Sequence, residues 1–227
     1  SMKLIITMRI LIKMSSLNYK EHIKLSWANA EKDTSKVNQE ILGMSGMSGR
    51  RTRHFINNLC AMPDCKYLEV GTWKGSTLCS AMFANKINCT CIDDWSQSFS
   101  SASDVGPKEV FLKNFKKFKG INNAIFIEKN CWEIDPEHIG KFNIYFYDGS
   151  HSHEAQHRAL THFLPALDDE FIFMVDDWNL ERVQWGTNKG IEENSLNVLY
   201  KKEILTTEDG SHPPPKKSGP NSDWHNG

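Results

Sequence analysis

The sequence predicts an α/β fold: a doubly wound, mostly parallel sheet with helices on both faces and an N-terminal helical cap. Three observations lead to it. Beyond residue 60, short apolar runs alternate with helix-length amphipathic segments, a pattern that calls for a parallel sheet covered by helices. The first apolar run, Tyr67-Leu68-Glu69-Val70, meets a glycine loop, Gly71-Thr72-Trp73-Lys74-Gly75, before a helix that opens at Ser76. Lacking a Cβ, Gly71 permits a sharp turn and Gly75 a helix start close to a ligand. The later runs also end in polar or acidic groups, on the rim where open α/β sheets bind their ligands.

The elements follow in order. Residues 1–14 mix apolar residues with Arg9 and Lys13, are too short to span a bilayer and lack a cleavage site, so they are set aside as a leader or tag. A helical pattern over 19–59 is broken by Gly43-Met44-Ser45-Gly46-Met47-Ser48-Gly49, which cannot continue a helix. Residues 15–60 therefore read as a cap whose glycine–serine loop is either a lid or a solvated linker, with a helix from 51 to 59. Strands are expected at 67–70, 88–92, 124–128, 142–147 and 171–175, with helices at 76–85, 108–118 and 152–164 between them. A further helix near 190–200 and a sixth, short strand at 201–206 complete the main unit, 61–210. The tail, 211–227, contains Pro213-Pro214-Pro215 and reads as extended.

Composition narrows the function classes. With 39% hydrophobic and 24% charged residues, the 227-residue chain is neither disordered nor short of a core. A net charge of -1 offers no global attraction to nucleic acid or to an anionic membrane, so partners must be argued from local features. Six cysteines without a C-x-x-C pair read as reduced thiols of a cytoplasmic protein. Phe111, Phe115 and Phe118 alternate with lysines, but their spacing describes one buried helix face rather than a nucleic-acid surface.

The strand ends carry the chemistry: Glu69, then Asp93-Asp94-Trp95, Asn130-Cys131-Trp132, Asp148-Gly149-Ser150-His151 and Asp176-Asp177-Trp178. Acids gathered on one rim repel one another unless a ligand or cation compensates. The spacing E-x-G-x-x-x-G departs from the G-x-G-x-x-G of pyrophosphate cofactors, which favours a cofactor without a pyrophosphate. Asp93 falls where an acid at the end of the second strand meets ribose hydroxyls.

Together these blocks resemble the class I S-adenosylmethionine-dependent methyltransferases, over about Ile41 to Tyr200. The blocks at Asp148 and Asp176 are most similar to the metal-dependent O-methyltransferase branch that tailors macrolide sugars and cephalosporins. The resemblance implies a Rossmann-like methyltransferase fold and S-adenosylmethionine bound by Glu69, Gly71, Thr72, Gly75, Ser76, Asp93, Asp94, Asn130, Cys131, Trp132 and Asp148. It further implies Mg²⁺ on Asp148, Asp176 and Asp177, His151 as base beside Asp148, and a small hydroxylated, sugar-like acceptor. The chemistry is consistent: a neutral hydroxyl is a poor nucleophile, and clustered carboxylates suit a hard cation that activates it. The class usually ends in a seventh, antiparallel strand. The residues Asp223 to Gly227 look like the approach to one, so truncation, an unpaired edge and a homo-oligomer are expected.

Other readings stand beside this one. His153-Glu154-Ala155-Gln156-His157 matches the H-E-x-x-H pattern of zinc hydrolases, although it leaves the glycine loop and Asp176-Asp177 without roles. A cofactor-binding module without turnover is a third possibility. His151 could merely orient its loop, and Trp95, Trp132, Trp178 and Trp185 either line a pocket or pack.

Overall fold

The computed structural model describes residues 19–96, 106–207, 209–211, 223–225 and 227. Five strands, β1 (Lys66–Val70), β2 (Asn88–Asp93), β3 (Asn123–Glu128), β4 (Phe142–Tyr147) and β5 (Leu167–Val175), form one sheet in the order β3-β2-β1-β4-β5. Every neighbouring pair is parallel, which is the doubly wound architecture expected. The helices are α1 (residues 19–31), α2 (Gln39–Leu42), α3 (Arg50–Leu59), α4 (Ser76–Met82), α5 (Pro107–Phe118), α6 (His153–Phe163) and α7 (Glu181–Glu193).

Strand alternation sorts side chains into two cores. Tyr67, Cys89, Cys91, Ile144 and Phe146 pack with Ile56, Leu59, Leu78 and Phe111 from α3, α4 and α5. Leu68, Val70, Ile92, Tyr145 and Tyr147 face the other way, onto Ala159, Leu160 and Phe163 of α6. Phe115 and Phe118 join Phe111 against the sheet, as their spacing requires. Every residue of β4 is buried, as expected for a central parallel strand with both faces covered.

The chain winds from β1 through β2 to β3, then returns to lay β4 on the other side of β1. The winding therefore reverses between β1 and β4, and in such sheets the crevice at that point receives the ligand.

Several expectations are corrected. The last helix is α7 (Glu181–Glu193), not a helix near 190–200. Gly186 and Gly190 are contact points inside it: a Cβ on Gly186 would lie 2.5 Å from the carbonyl oxygen of His153, so these glycines let α7 press against α6. The stretch 201–206 forms no strand. Its Thr206 backbone N–H donates to the Asn179 side chain, and five strands, not six, make the sheet among the described residues. β5 starts four residues earlier than its apolar run, because pairing with β4 across a register shift extends it to Leu167. The described part of 223–227 is not a strand either: Trp224 stacks on Trp27 of α1 with centroids 4.2 Å apart. The leader, most of the loop 97–107 and the proline-rich segment lie outside the described residues. No helix among the described residues is long and apolar enough to cross a membrane.

Candidate cofactor and metal site

The glycine loop opens directly from β1. Gly71 takes φ +89 and Gly75 φ +80, and the Gly75 N–H closes the turn on the Thr72 carbonyl at 2.7 Å. Gly71 is doubly constrained, since a Cβ there would sit 1.9 Å from the Asp148 carbonyl oxygen. That contact joins the loop after β1 to the loop after β4 across the crevice. Trp73, between the glycines, is itself left-handed at φ +45.

Asp93 at the tip of β2 braces this loop. One carboxylate oxygen accepts the Trp73 N–H at 2.6 Å and the other the Trp95 N–H at 2.7 Å. Burial raises its pKa against the opposing pull of those N–H groups. Asp94 beside it accepts from Ser96, and Cys131, whose thiol burial and the Asp94 charge push up to about 12, lies close by. Asn130 caps the short 3-10 turn at Cys131–Glu133 by accepting the Trp132 N–H. Trp132 lies between Tyr147 and His162, with the Arg158 guanidinium 4.5 Å from its ring centre. Thr72 is buried, and the buried Trp73 Nε1 makes no hydrogen bond in the protein, so the loop retains an unspent donor.

Two residues assigned to the cradle direct their side chains to partners within the protein. Glu69 is wholly buried beneath the loop, accepting the Tyr67 hydroxyl at 2.6 Å and the Thr77 hydroxyl at 2.9 Å. Burial raises its pKa to about 8, against those two hydrogen bonds and with help from the charges of Asp148 and Asp93. Ser76 turns its hydroxyl to Ser48 of the cap, 2.9 Å away. There Arg53, wholly buried, donates to Ser48 and to the carbonyls of Ile41, Leu42 and Met44, which pins the glycine–serine loop over the start of α4.

The acids of β4 and β5 converge opposite. Asp148, His151 and Asp177 each bring one ligand atom within 4.8 Å of the others. His151 Nε2 lies 2.7 Å from Asp177 and 4.0 Å from Asp148. Asp177 adopts φ +60, which turns its carboxylate back toward the cluster, where it is 4% exposed. Burial and the Asp177 charge raise Asp148 to about 6 despite the His151 hydrogen bond, and burial with its two neighbouring aspartates holds Asp176 well above the carboxylate range. Burial alone would depress His151, but its two carboxylate partners outweigh that and push it up to about 10. The donor set, carboxylate oxygens and imidazole nitrogens in partial burial, fits a divalent cation.

The H-E-x-x-H histidines do not gather ligands: His153 stacks edge-on against Trp185 and His157 pairs with Glu193 at 2.6 Å. Neither belongs to a three-ligand group among the described residues. Trp95 packs with Phe111 and Phe126, Trp178 is buried, and Trp185 is half exposed. A cavity of about 880 Å³ runs along the outer edge of β5 and touches the acid cluster at Asp176. His225, which approaches Asp176 and Asp177, was not foreseen. No local pattern in the sequence marks it.

Residues 68–178 match the family model described as a methyltransferase domain. No curated protein matches the chain. Among solved structures it is similar to an S-adenosylhomocysteine-bound methyltransferase from Podospora anserina, with 13% identity, 82% of this chain and 84% of that one covered, and a TM-score of 0.44. It is also similar to a TDP-rhamnose 3'-O-methyltransferase of calicheamicin biosynthesis, with 14% identity, 77% and 84% covered, and a TM-score of 0.44. A candidate SAM-dependent methyltransferase from Streptococcus mutans gives 13% identity and a TM-score of 0.48, with 63% of this chain covered but only 39% of the other. These likenesses are too loose to transfer the role of any residue.

Proposed function

We propose that residues 68–178, which match the methyltransferase domain model, form a class I S-adenosylmethionine-dependent methyltransferase that methylates a hydroxyl of a small molecule with the help of a divalent cation. The observation that carries this reading is the juxtaposition of two unlike half-sites at the β1/β4 switch point, a glycine cradle and an acid–imidazole cluster, touching at Gly71 and Asp148. When bound, S-adenosylmethionine supplies an electrophilic methyl group, and a cation such as Mg²⁺ supplies a Lewis acid that makes a coordinated hydroxyl more acidic.

The chain's own residues divide the remaining work. Gly71, Thr72, Gly75 and the braced Asp93 hold the nucleoside and its methionine arm, with Asp94, Asn130, Cys131 and Trp132 along its flank. Asp148, Asp176 and Asp177 would hold the ion, whose charge would offset their mutual repulsion. His151 Nε2, 2.7 Å from Asp177, is the group placed to take the hydroxyl proton. It would do so from its neutral form, which a cation bound by the same carboxylates would favour by offsetting the charges that hold its pKa at about 10. Adjacent hydroxyls can replace two waters of such an ion together, so a sugar-like diol is the acceptor class that suits the cluster best.

Calorimetry with the full chain tests both halves. S-adenosylhomocysteine should bind, and methyl transfer from labelled S-adenosylmethionine to a panel of polyols should stop on chelation and return with Mg²⁺. Folded protein that binds no S-adenosylhomocysteine would overturn the reading, and transfer indifferent to chelation would remove its metal half.

A further inference from the structure

A second group of donors shares Asp177 with the first. Asp176, Asp177 and His225 also bring one ligand atom each within 4.8 Å of one another. Asp177 is thus flanked by two imidazoles, His151 from the loop after β4 and His225 from a segment remote in sequence.

The placement of His225 is tightly determined. Its carbonyl accepts the Thr206 hydroxyl at 2.8 Å, and Thr206 is bonded twice to the Asn179 side chain, two residues beyond Asp177. Its neighbour Trp224 lies flat on Trp27 and donates Nε1 to Glu31 at 3.0 Å. Before that, the Asp223 carbonyl accepts the Arg51 N–H at 2.7 Å. His225 takes φ +56, a conformation unfavourable for a residue with a Cβ, and is only 9% exposed. Three anchors and a strained backbone therefore deliver one imidazole to the buried Asp177 and the half-buried Asp176. A segment that only covered the apolar face of α1 would be served by Trp224 alone.

We propose that His225 is a further ligand of the divalent cation held by Asp176 and Asp177. The proposal rests on the metal-assisted reading of the site and sharpens its metal preference. Carboxylates alone suit Mg²⁺ or Ca²⁺, whereas an imidazole nitrogen raises affinity for Mn²⁺, Co²⁺ or Zn²⁺ relative to them. It also couples the segment at 223–225 to the state of the metal centre.

Mn²⁺ alone, added to the full chain, is the probe. Pulsed electron paramagnetic resonance of the Mn²⁺-loaded wild type should show a directly coordinated nitrogen that persists in His151→Gln and disappears in His225→Gln. Calorimetry should show Mn²⁺ affinity about tenfold lower in His225→Gln and Mg²⁺ affinity changed less than about threefold, a selectivity shift that a purely structural role would not produce. The wild-type spectrum is decisive even where a variant folds poorly: Mn²⁺ bound without nitrogen coupling, yet lost in Asp177→Asn, would overturn the His225 assignment and leave the metal site standing. Coupling retained in His225→Gln would overturn it as well. Failure of the wild type to bind Mn²⁺ would overturn the assignment together with the metal reading beneath it.

Discussion

The two halves of the site satisfy their acids in opposite ways. On the β1–β2 side, Glu69 and Asp93 direct their oxygens at the protein's own donors, two hydroxyls and two backbone N–H groups. On the β4–β5 side, Asp148 and Asp177 gather on His151 and Asp176 and Asp177 on His225, and burial with the neighbouring carboxylates raises the pKa values of Asp148 and Asp176. The first half is a finished scaffold that shapes a loop. The second leans on imidazole for its compensation, His151 being held up to about 10 by its two carboxylate partners, and a divalent cation would offset the same acids. Shape on one side and charge on the other is a division that perturbation can break.

Gly71 belongs to both halves, so its replacement is expected to have the largest effect. In Gly71→Ala the new methyl would need to occupy the position 1.9 Å from the Asp148 carbonyl oxygen, with φ at +89. Relief requires the loops after β1 and β4 to separate, at a cost of about 4 kcal/mol and a Tm lower by about 10 °C. Thermal unfolding measures the cost. Calorimetry should show S-adenosylhomocysteine and Mn²⁺ weakened together. Loss of only one would show that the halves are less closely joined than their contact indicates.

Glu69 tests whether the scaffold half is complete without a ligand. Its folded pKa is raised by burial to about 8, against an ordinary value of 4.5. Between those values the native state keeps a proton that the unfolded chain has released, so stability falls as pH rises through that window. The accumulated loss reaches about 3 kcal/mol at pH 7. Glu69→Gln has no such proton to lose. Urea unfolding should find it close to the wild type at pH 4.5 and progressively more stable than the wild type from pH 5 to 8. Parallel pH profiles for the two proteins would mean that Glu69 is already ionised when folded.

The contrast also explains what could be read in the sequence. The strands β2, β4 and β5 are legible because each is an apolar run that ends in or against an acid, and β4 matches its expected bounds because Phe142 to Tyr147 is buried on both faces. Asp148, His151 and Asp177 could be brought together on paper because parallel strands put their carboxyl ends on one rim. The charged start of β5, Asp168-Asp169-Glu170, resembles a turn, and only its register with β4 makes it strand. Gly186 and Gly190 resemble helix breaks until α6 is seen packed on them. Glu69 was placed among cofactor contacts because motif spacing locates a residue on the chain, not the direction of its carboxylate. His225 obeys no periodicity: its position depends on a Trp224–Trp27 stack between opposite regions of the chain.

On the charged side, Asp177→Asn should uncouple the two halves. The change keeps the volume and the hydrogen-bonding reach of the side chain while removing the charge shared by both ligand groups. Mn²⁺ affinity should fall about a hundredfold, and S-adenosylhomocysteine affinity should stay within about twofold of the wild type. Both are read by calorimetry on the same preparations. A matching loss of nucleoside affinity would show that the acid cluster shapes the cradle as well as charging the crevice.

Asp93 gives the complementary and smallest effect, and it separates two mechanisms. Asp93→Ala removes the acceptor for the Trp73 and Trp95 N–H groups, freeing the loop, and should weaken S-adenosylhomocysteine about tenfold with Mn²⁺ affinity unchanged. The sequence expectation was a direct contact to ribose, whereas the geometry shows a brace within the protein. A carboxylate oxygen has lone pairs enough for both, so the loss in affinity alone does not distinguish them. A cycle with 2'-deoxy-S-adenosylhomocysteine does. If Asp93 touches the ribose, removing the hydroxyl weakens binding to the wild type but costs nothing further in Asp93→Ala. If Asp93 acts only through the loop, the two losses add, and the cradle half is then a device of shape alone.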